Sequence, residues 1–239
     1  RSDLVPRTGG LVVAMVGPKA VGKSTLSAEV ARRLGGELDV RRVHVGKPPP
    51  TILSFVPRLL VPLARRLWRS ERAGEYEKPE RRREGQFSLL YVLRMALVAH
   101  DRRVLIRRLW KAAASGAIVI TDRYPSDTPG SIDSSCFDEA AVAACRSSLK
   151  RWLIKREQAI YVGLPRPDLV IRLTAARETT LRRDATRIKE GGPDSDAVLR
   201  RWGMETCASF GQAPVVAIDT DRGIEESAAE VTRAVWAAV

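Results

Sequence analysis

The segment Gly17-Pro18-Lys19-Ala20-Val21-Gly22-Lys23-Ser24-Thr25 constrains this chain most. The apolar run Leu11 to Val16 leads into it, and helically spaced Leu26, Val30 and Leu34 follow, up to a stop at Gly35-Gly36. A strand, then G-x-x-x-x-G-K-[ST], then a helix is the phosphate-binding P-loop. Glycines let the backbone wrap closely enough for several N–H groups to meet phosphate oxygens, and the helix N-terminus adds its positive dipole end. The nucleotide-binding loop therefore comprises Gly17, Lys19, Ala20, Val21, Gly22, Lys23, Ser24 and Thr25. Lys23 supplies a mobile cation for the β- and γ-phosphates, and Ser24 places a hydroxyl where Mg²⁺ bridging them would sit. ATP and Mg²⁺ are the expected cofactors. The loop alone does not say whether the γ-phosphate goes to water or to an acceptor.

The rest of the chain bounds that question. A length of 239 residues, 44% hydrophobic and 29% charged, suits one α/β domain, residues 11–239, behind an N-terminal tail or linker, residues 1–10. No stretch approaches the ~18 uninterrupted apolar residues of a membrane span, and the start lacks a secretion-signal pattern, so the expected compartment is the cytoplasm. Cys136, Cys145 and Cys207 are odd in number and without C-x-x-C spacing, which argues against a disulfide framework or a zinc site. The net charge of +13 raises anionic partners. The basic pairs (Arg32-Arg33, Arg65-Arg66, Arg107-Arg108, Arg182-Arg183, Arg200-Arg201) are spread along predicted helices, however, and read as solvated faces rather than a nucleic-acid surface.

In chain order, Asp39 to Val45 has strand character and breaks at Gly46-Lys47-Pro48-Pro49-Pro50. This loop is a natural wall for an acceptor site, with Lys47 as an acceptor-binding cation. Ile52 to Arg72 is amphipathic, with Phe55, Leu59, Leu60, Leu63, Leu67 and Trp68 against Arg58, Arg65, Arg66 and Arg69. Such a helix packs on its own domain or lies on an anionic membrane. With the charged loop Tyr76 to Gly85 it forms an excursion over residues 52–85. Gln86 to Ser115 reads as a long helix carrying Arg94, Arg102 and Arg103, and Ala117 to Thr121 as a strand ending in Asp122-Arg123-Tyr124. Ligands of open α/β sheets bind at the carboxyl ends of strands, so this pair falls beside the P-loop. A carboxylate suits Mg²⁺ or an acceptor hydroxyl, and an arginine suits phosphate.

Cys136 to Ile160 reads as mostly helical and Leu169 to Leu173 as a strand. Ala175 to Lys189 is an Arg-studded helix running into Gly191-Gly192-Pro193, which suggests a lid over residues 182–196. Pro214 to Ile218 and Glu225 to Val239 close the pattern. Five strands alternating with helices predict a three-layer α/β/α sandwich around a mostly parallel sheet.

Three segments together, Gly17 to Thr25, Gly116 to Tyr124 and Val162-Gly163-Leu164-Pro165-Arg166-Pro167-Asp168-Leu169-Val170, resemble the thymidylate kinase-like branch of the nucleoside monophosphate kinases. The resemblance implies Asp122 near Mg²⁺ and the acceptor phosphate, Arg123 as a phosphate clamp, and Arg102 as an acceptor contact, with Arg103 the neighbouring register. Ala20 stands where some members carry a catalytic arginine, which turns attention to lid residues Arg182, Arg183 and Arg187. The catalytic candidates are then Lys23, Asp122, Arg123, Arg183 and Arg187, with Ser24 and Asp122 for metal. Two departures count against thymidylate as acceptor. Lys19 stands where the family usually has an acid, and Pro125-Ser126-Asp127-Thr128-Pro129-Gly130 lacks the usual base-reading pattern. The expected activity is phosphoryl transfer to a small anionic acceptor such as a nucleoside monophosphate. The alternatives are a kinase of a sugar, sugar phosphate or lipid-linked acceptor, and a P-loop protein that binds nucleotide and associates with membrane or nucleic acid. A homodimer is compatible with all three.

Overall fold

Strands β1 (Leu11–Val16), β2 (Val40–His44), β3 (Ile118–Asp122), β4 (Leu169–Thr174) and β5 (Val215–Asp219) pair in the order β2-β3-β1-β4-β5, every pairing parallel. The computed structural model describes residues 9–67, 87–131, 133–186 and 195–239. Parallel sheets covered on both faces need apolar residues at every position rather than alternation. Strand β1 meets that demand throughout, and β3 meets it over Ile118 to Ile120 before its buried polar end, Thr121 and Asp122.

One face is covered by α1 (Lys23–Leu34) and α8 (Ile224–Ala238), whose Leu26, Val30, Ala228 and Val231 pack on Val13, Met15, Ile120 and Ile171. The other is covered by α3 (Leu89–Ala114), whose Ile106, Leu109 and Ala113 meet Val12, Ala14 and Val119. The three-layer α/β/α sandwich is thus present. Ser88 starts α3 by accepting a hydrogen bond from the Tyr91 amide at 3.1 Å.

Three elements differ from expectation. The third strand extends to include Asp122, which pairs in register with both Met15 and His44. The helix expected over Cys136 to Ile160 is two, α4 (Glu139–Ala144) and α5 (Ser148–Val162), because Asp138 and Ser147 each cap a new N-terminus with their side chains. After α6 (Arg177–Ala185) comes α7 (Ser195–Thr206), which the sequence pattern did not indicate. Of the excursion, α2 (Ile52–Leu67) is described, while Trp68 to Gln86 lies outside the described residues.

Helix α2 sits on α3 through polar groups. Thr51 and Ser54 hydroxyls each donate to Asp101 at 2.7 Å, and Arg58 Nη1 donates to it at 2.8 Å. Burial pushes the Asp101 carboxyl up, but the hydrogen bonds from Ser54, Thr51 and Arg58 outweigh it and hold the group below its ordinary value.

A third apolar cluster joins α3, α4 and α5 around Phe137, which meets Phe87 edge-on at 4.9 Å. Beside it Glu157, 1% exposed, accepts from Ser135 Oγ at 2.7 Å and the Cys136 amide at 2.8 Å. Burial pushes its carboxyl up to about 7. A carboxyl raised on folding holds a proton that the unfolded chain releases above its ordinary pKa, so stability falls as pH rises through about 4.5 to 7. Glu157→Gln, which mimics the protonated form, is expected to leave the melting temperature near pH 5 unchanged and to raise it by about 5 °C at pH 8, read by thermal denaturation at both pH values. Equal shifts at both would rule out a buried titration as the cause.

Candidate active site

The P-loop spans from the end of β1 to the start of α1 and must fit beneath β4. A Cβ on Gly17 (φ 138°) would stand 2.4 Å from the Leu173 carbonyl oxygen, so no side chain fits there. Lys23 Nζ folds back onto its own loop and donates to the Gly17 and Pro18 carbonyls, both at 2.7 Å. Burial, then the neighbouring Arg123 cation, lowers the Lys23 ammonium to about 8, against weaker opposing effects of Asp122, Glu205 and Asp133. Glu205 comes from α7.

Asp122 lies directly across the loop. Its Oδ2 accepts from Ser24 Oγ at 2.6 Å and lies 3.6 Å from His44 Nδ1, while its buried Oδ1 has no hydrogen-bond partner. An orphaned carboxylate oxygen next to a serine hydroxyl is a hard-oxygen pair of the kind Mg²⁺ takes together with phosphate and water. Ser24 and Asp122 therefore fit the ion that the loop implies. Among the described residues no group of three His, Cys, Asp or Glu converges as a protein-only metal cage.

Arg123 adopts φ 73°, a strained value for a residue with a side chain, and its amide donates to Met15 O at 3.0 Å. The turn sends the guanidinium into the cleft, where Nη1 donates to Asp133 Oδ2 at 3.1 Å. Gly46 makes room for this pair, since a Cβ there would lie 2.8 Å from Arg123 Cδ and 2.9 Å from Asp133 Oδ2.

Arg102 is placed differently from the expectation. It is buried, and all five of its N–H groups go to protein acceptors: Val45 O (3.3 Å), Gly46 O (3.3 Å), Asp133 O (2.8 Å), Asp133 Oδ1 (2.9 Å) and the Tyr161 hydroxyl. With no donor left over, it holds Asp133, and through it Arg123, in place of reaching an acceptor. In the neighbouring register, Arg103 Nη2 lies 3.2 Å from His100 Nδ1 on the same helix, while its buried Nε has no hydrogen-bond partner.

The lid candidates separate. Arg182 is exposed. Arg183 turns to the cleft and donates to Thr220 Oγ1 at 3.2 Å and Thr220 O at 2.7 Å. Thr220 in turn donates to Val21 O at 3.0 Å, which links the end of β5 to the P-loop. Arg187, and with it most of residues 182–196, lies outside the described residues. Lys19 is paired with Asp184 of α6 at 2.9 Å.

These groups border one cleft of about 620 Å³, lined on one side by Lys47, His44, Asp122 and Arg123, along its floor by Lys19 to Thr25, and on the other side by Arg183, Thr220, Arg222 and Ile224. Sequence reasoning missed His44, Asp133, Asp184 and Thr220. For His44 a signal existed, since it ends β2 in register with Asp122. Tyr124 belongs to the frame: its buried hydroxyl donates to Pro165 O at 2.6 Å, joining two of the three segments that carried the resemblance, and burial raises it to about 12.

No protein-family model matches the chain. It is 26% identical over 247 aligned positions, 99% of this chain and 97% of the relative, to the uncharacterized ATP-binding protein YghS of Escherichia coli strain K12. In structure it is similar to thymidylate kinase from Candida albicans, with a TM-score of 0.54 and 17% identity over 96% of this chain and 92% of that one. The chain thus has the α/β P-loop fold of which that kinase is an example.

Proposed function

We propose that this protein is a Mg-ATP-dependent phosphotransferase that moves the γ-phosphate of ATP to a small anionic acceptor. The observation that carries the reading is the cleft itself, in which the P-loop cation Lys23, the Ser24–Asp122 oxygen pair and the strained Arg123 converge from the ends of two neighbouring strands, β1 and β3. The name of the Escherichia coli relative and the fold of the yeast kinase support nucleotide as the ligand.

In this mechanism an acceptor oxygen attacks the γ-phosphorus, the bond to the bridging oxygen breaks, and ADP leaves with the electron pair. No covalent enzyme intermediate forms. Lys23 exchanges its two carbonyl contacts for phosphate oxygens. Arg123, kept in place by Asp133, and Lys47 hold the acceptor. When bound, Mg²⁺ neutralises developing phosphate charge, and Ser24 and Asp122 are the residues that would hold it. Arg183, Thr220 and Arg222 flank the far end, where the nucleoside part of ATP lies in this reading.

The deciding experiment is ADP release scored across nucleoside monophosphates, sugars and sugar phosphates. At least one acceptor is expected to raise release about a hundredfold over water. Release that no acceptor stimulates, together with slow hydrolysis, would overturn the proposal. Thymidylate is expected to be a poor acceptor, because Lys19 stands where the family usually has an acid and Pro125 to Gly130 lacks its base-reading pattern.

Arg183 bears on where the catalytic cation lies. Its anchorage on Thr220 predicts that Arg183→Ala raises KM for ATP about tenfold with kcat within threefold. A fall in kcat of about 10³-fold at constant KM would instead make it the transition-state cation.

A further inference from the structure

Over Ile52 to Leu60, helix α2 lies on the protein with its polar side inward. Ser54 is fully buried and Arg58 reaches the buried Asp101, while Ile52, Leu53, Phe55, Val56, Leu59 and Leu60 face outward, from 53% exposed at Leu60 to 97% at Ile52. This reverses the arrangement by which a surface helix normally buries its apolar stripe. A contiguous apolar face of this kind marks a contact with something outside the chain.

Charge decides what that contact is. From Gly46 to Leu67 the sequence has no carboxylate, and from Phe87 to Gly116 it has one, Asp101, which is buried and ion-paired. Exposed Arg108 borders one hollow with Ile52 and Leu53 at the start of the face, and exposed Lys47 stands just ahead of the helix in sequence. A second copy seated on the same face would set this cationic surface against itself, and among the described residues of the two helices the one carboxylate, Asp101, is already taken by Arg58. An anionic bilayer offers both an apolar interior for the leucines and headgroup phosphates for these cations.

We infer that α2 is a membrane-docking helix that lays its outward apolar face into the interface of an anionic lipid bilayer. Thr51, at the start of α2, follows directly on Lys47 to Pro50. Docking therefore brings the Lys47 side of the cleft next to the lipid headgroups. The proposal goes beyond phosphotransfer and does not depend on it.

The test is sedimentation of the full chain with vesicles of phosphatidylcholine mixed with phosphatidylglycerol, and with vesicles of phosphatidylcholine alone. Binding to the mixed vesicles is expected, at least tenfold tighter than to the neutral ones and weakened by salt. Phe55→Glu and Leu59→Glu, both at exposed positions, should each weaken binding about tenfold without moving the melting temperature. Arg108→Glu should weaken it at least fivefold. Equal affinity for the two vesicle types, no binding to either, or variants that bind like the parent would overturn the inference. So would a dimer in sedimentation velocity that Leu59→Glu dissociates, which would assign the face to a second copy.

Discussion

Lys23→Ala is expected to lower kcat/KM for ATP by about 10³-fold or more while leaving the melting temperature unchanged or slightly raised. The two effects have one cause. Lys23 Nζ rests on two carbonyls with its ammonium lowered to about 8 by burial and by Arg123, so below that pH the folded chain carries a cation that its surroundings disfavour. Phosphate oxygens would relieve that cost, and removing the side chain removes both the cost and the contact. Because the pKa is lowered on folding, the free protein gains stability as pH rises from about 8 to 10.5, where the unfolded chain still holds the proton. ATP affinity should weaken over the same window, because the nucleotide needs the ammonium. Calorimetry at pH 7 and pH 9 in buffers of different ionisation enthalpy should show proton uptake on binding at the higher pH. Near-parental turnover by Lys23→Ala would remove the P-loop from the mechanism.

Asp122→Asn should lower kcat by about 10²-fold or more and raise the Mg²⁺ concentration needed for half-maximal rate. An amide can still accept the 2.6 Å hydrogen bond from Ser24, so the loop keeps its shape. What is lost is the anionic character of Oδ1, the buried oxygen that no protein donor reaches. An activity loss with unchanged Mg²⁺ dependence would make Asp122 a positioning group for Ser24 and His44. A loss below threefold would put the metal elsewhere.

The parts of the fold and site that the sequence made legible are those set by local rules. Continuous apolar runs give the parallel strands, the P-loop gives the first turn, and the strand-end rule places Asp122 and Arg123 beside it. Long-range pairing was not legible. Nothing local in a Ser/Asp loop says that Asp133 will take both Arg102 and Arg123, so Arg102 looked available when the fold had already used every N–H it has. Helix α2 shows the same limit: its amphipathic pattern is plain in the sequence, but its orientation rests on Asp101, on a different helix. Helix α7 escaped notice because Ser195–Thr206 is short, carries Gly203 and lacks a clear apolar stripe.

The cleft lining has a kinetic consequence. Among the described residues Lys19, Lys23, Lys47, Arg123, Arg183 and Arg222 border it against one lining carboxylate, Asp122, with Asp184 and Asp133 behind it pairing Lys19 and Arg123. Such an imbalance draws polyanions in faster than neutral diffusion would, and holds them on the way out. ATP should then arrive quickly at low ionic strength, and ADP should leave slowly enough to limit turnover. Added salt would raise KM and kcat together, so the fastest enzyme at saturating nucleotide is the one that captures it least well.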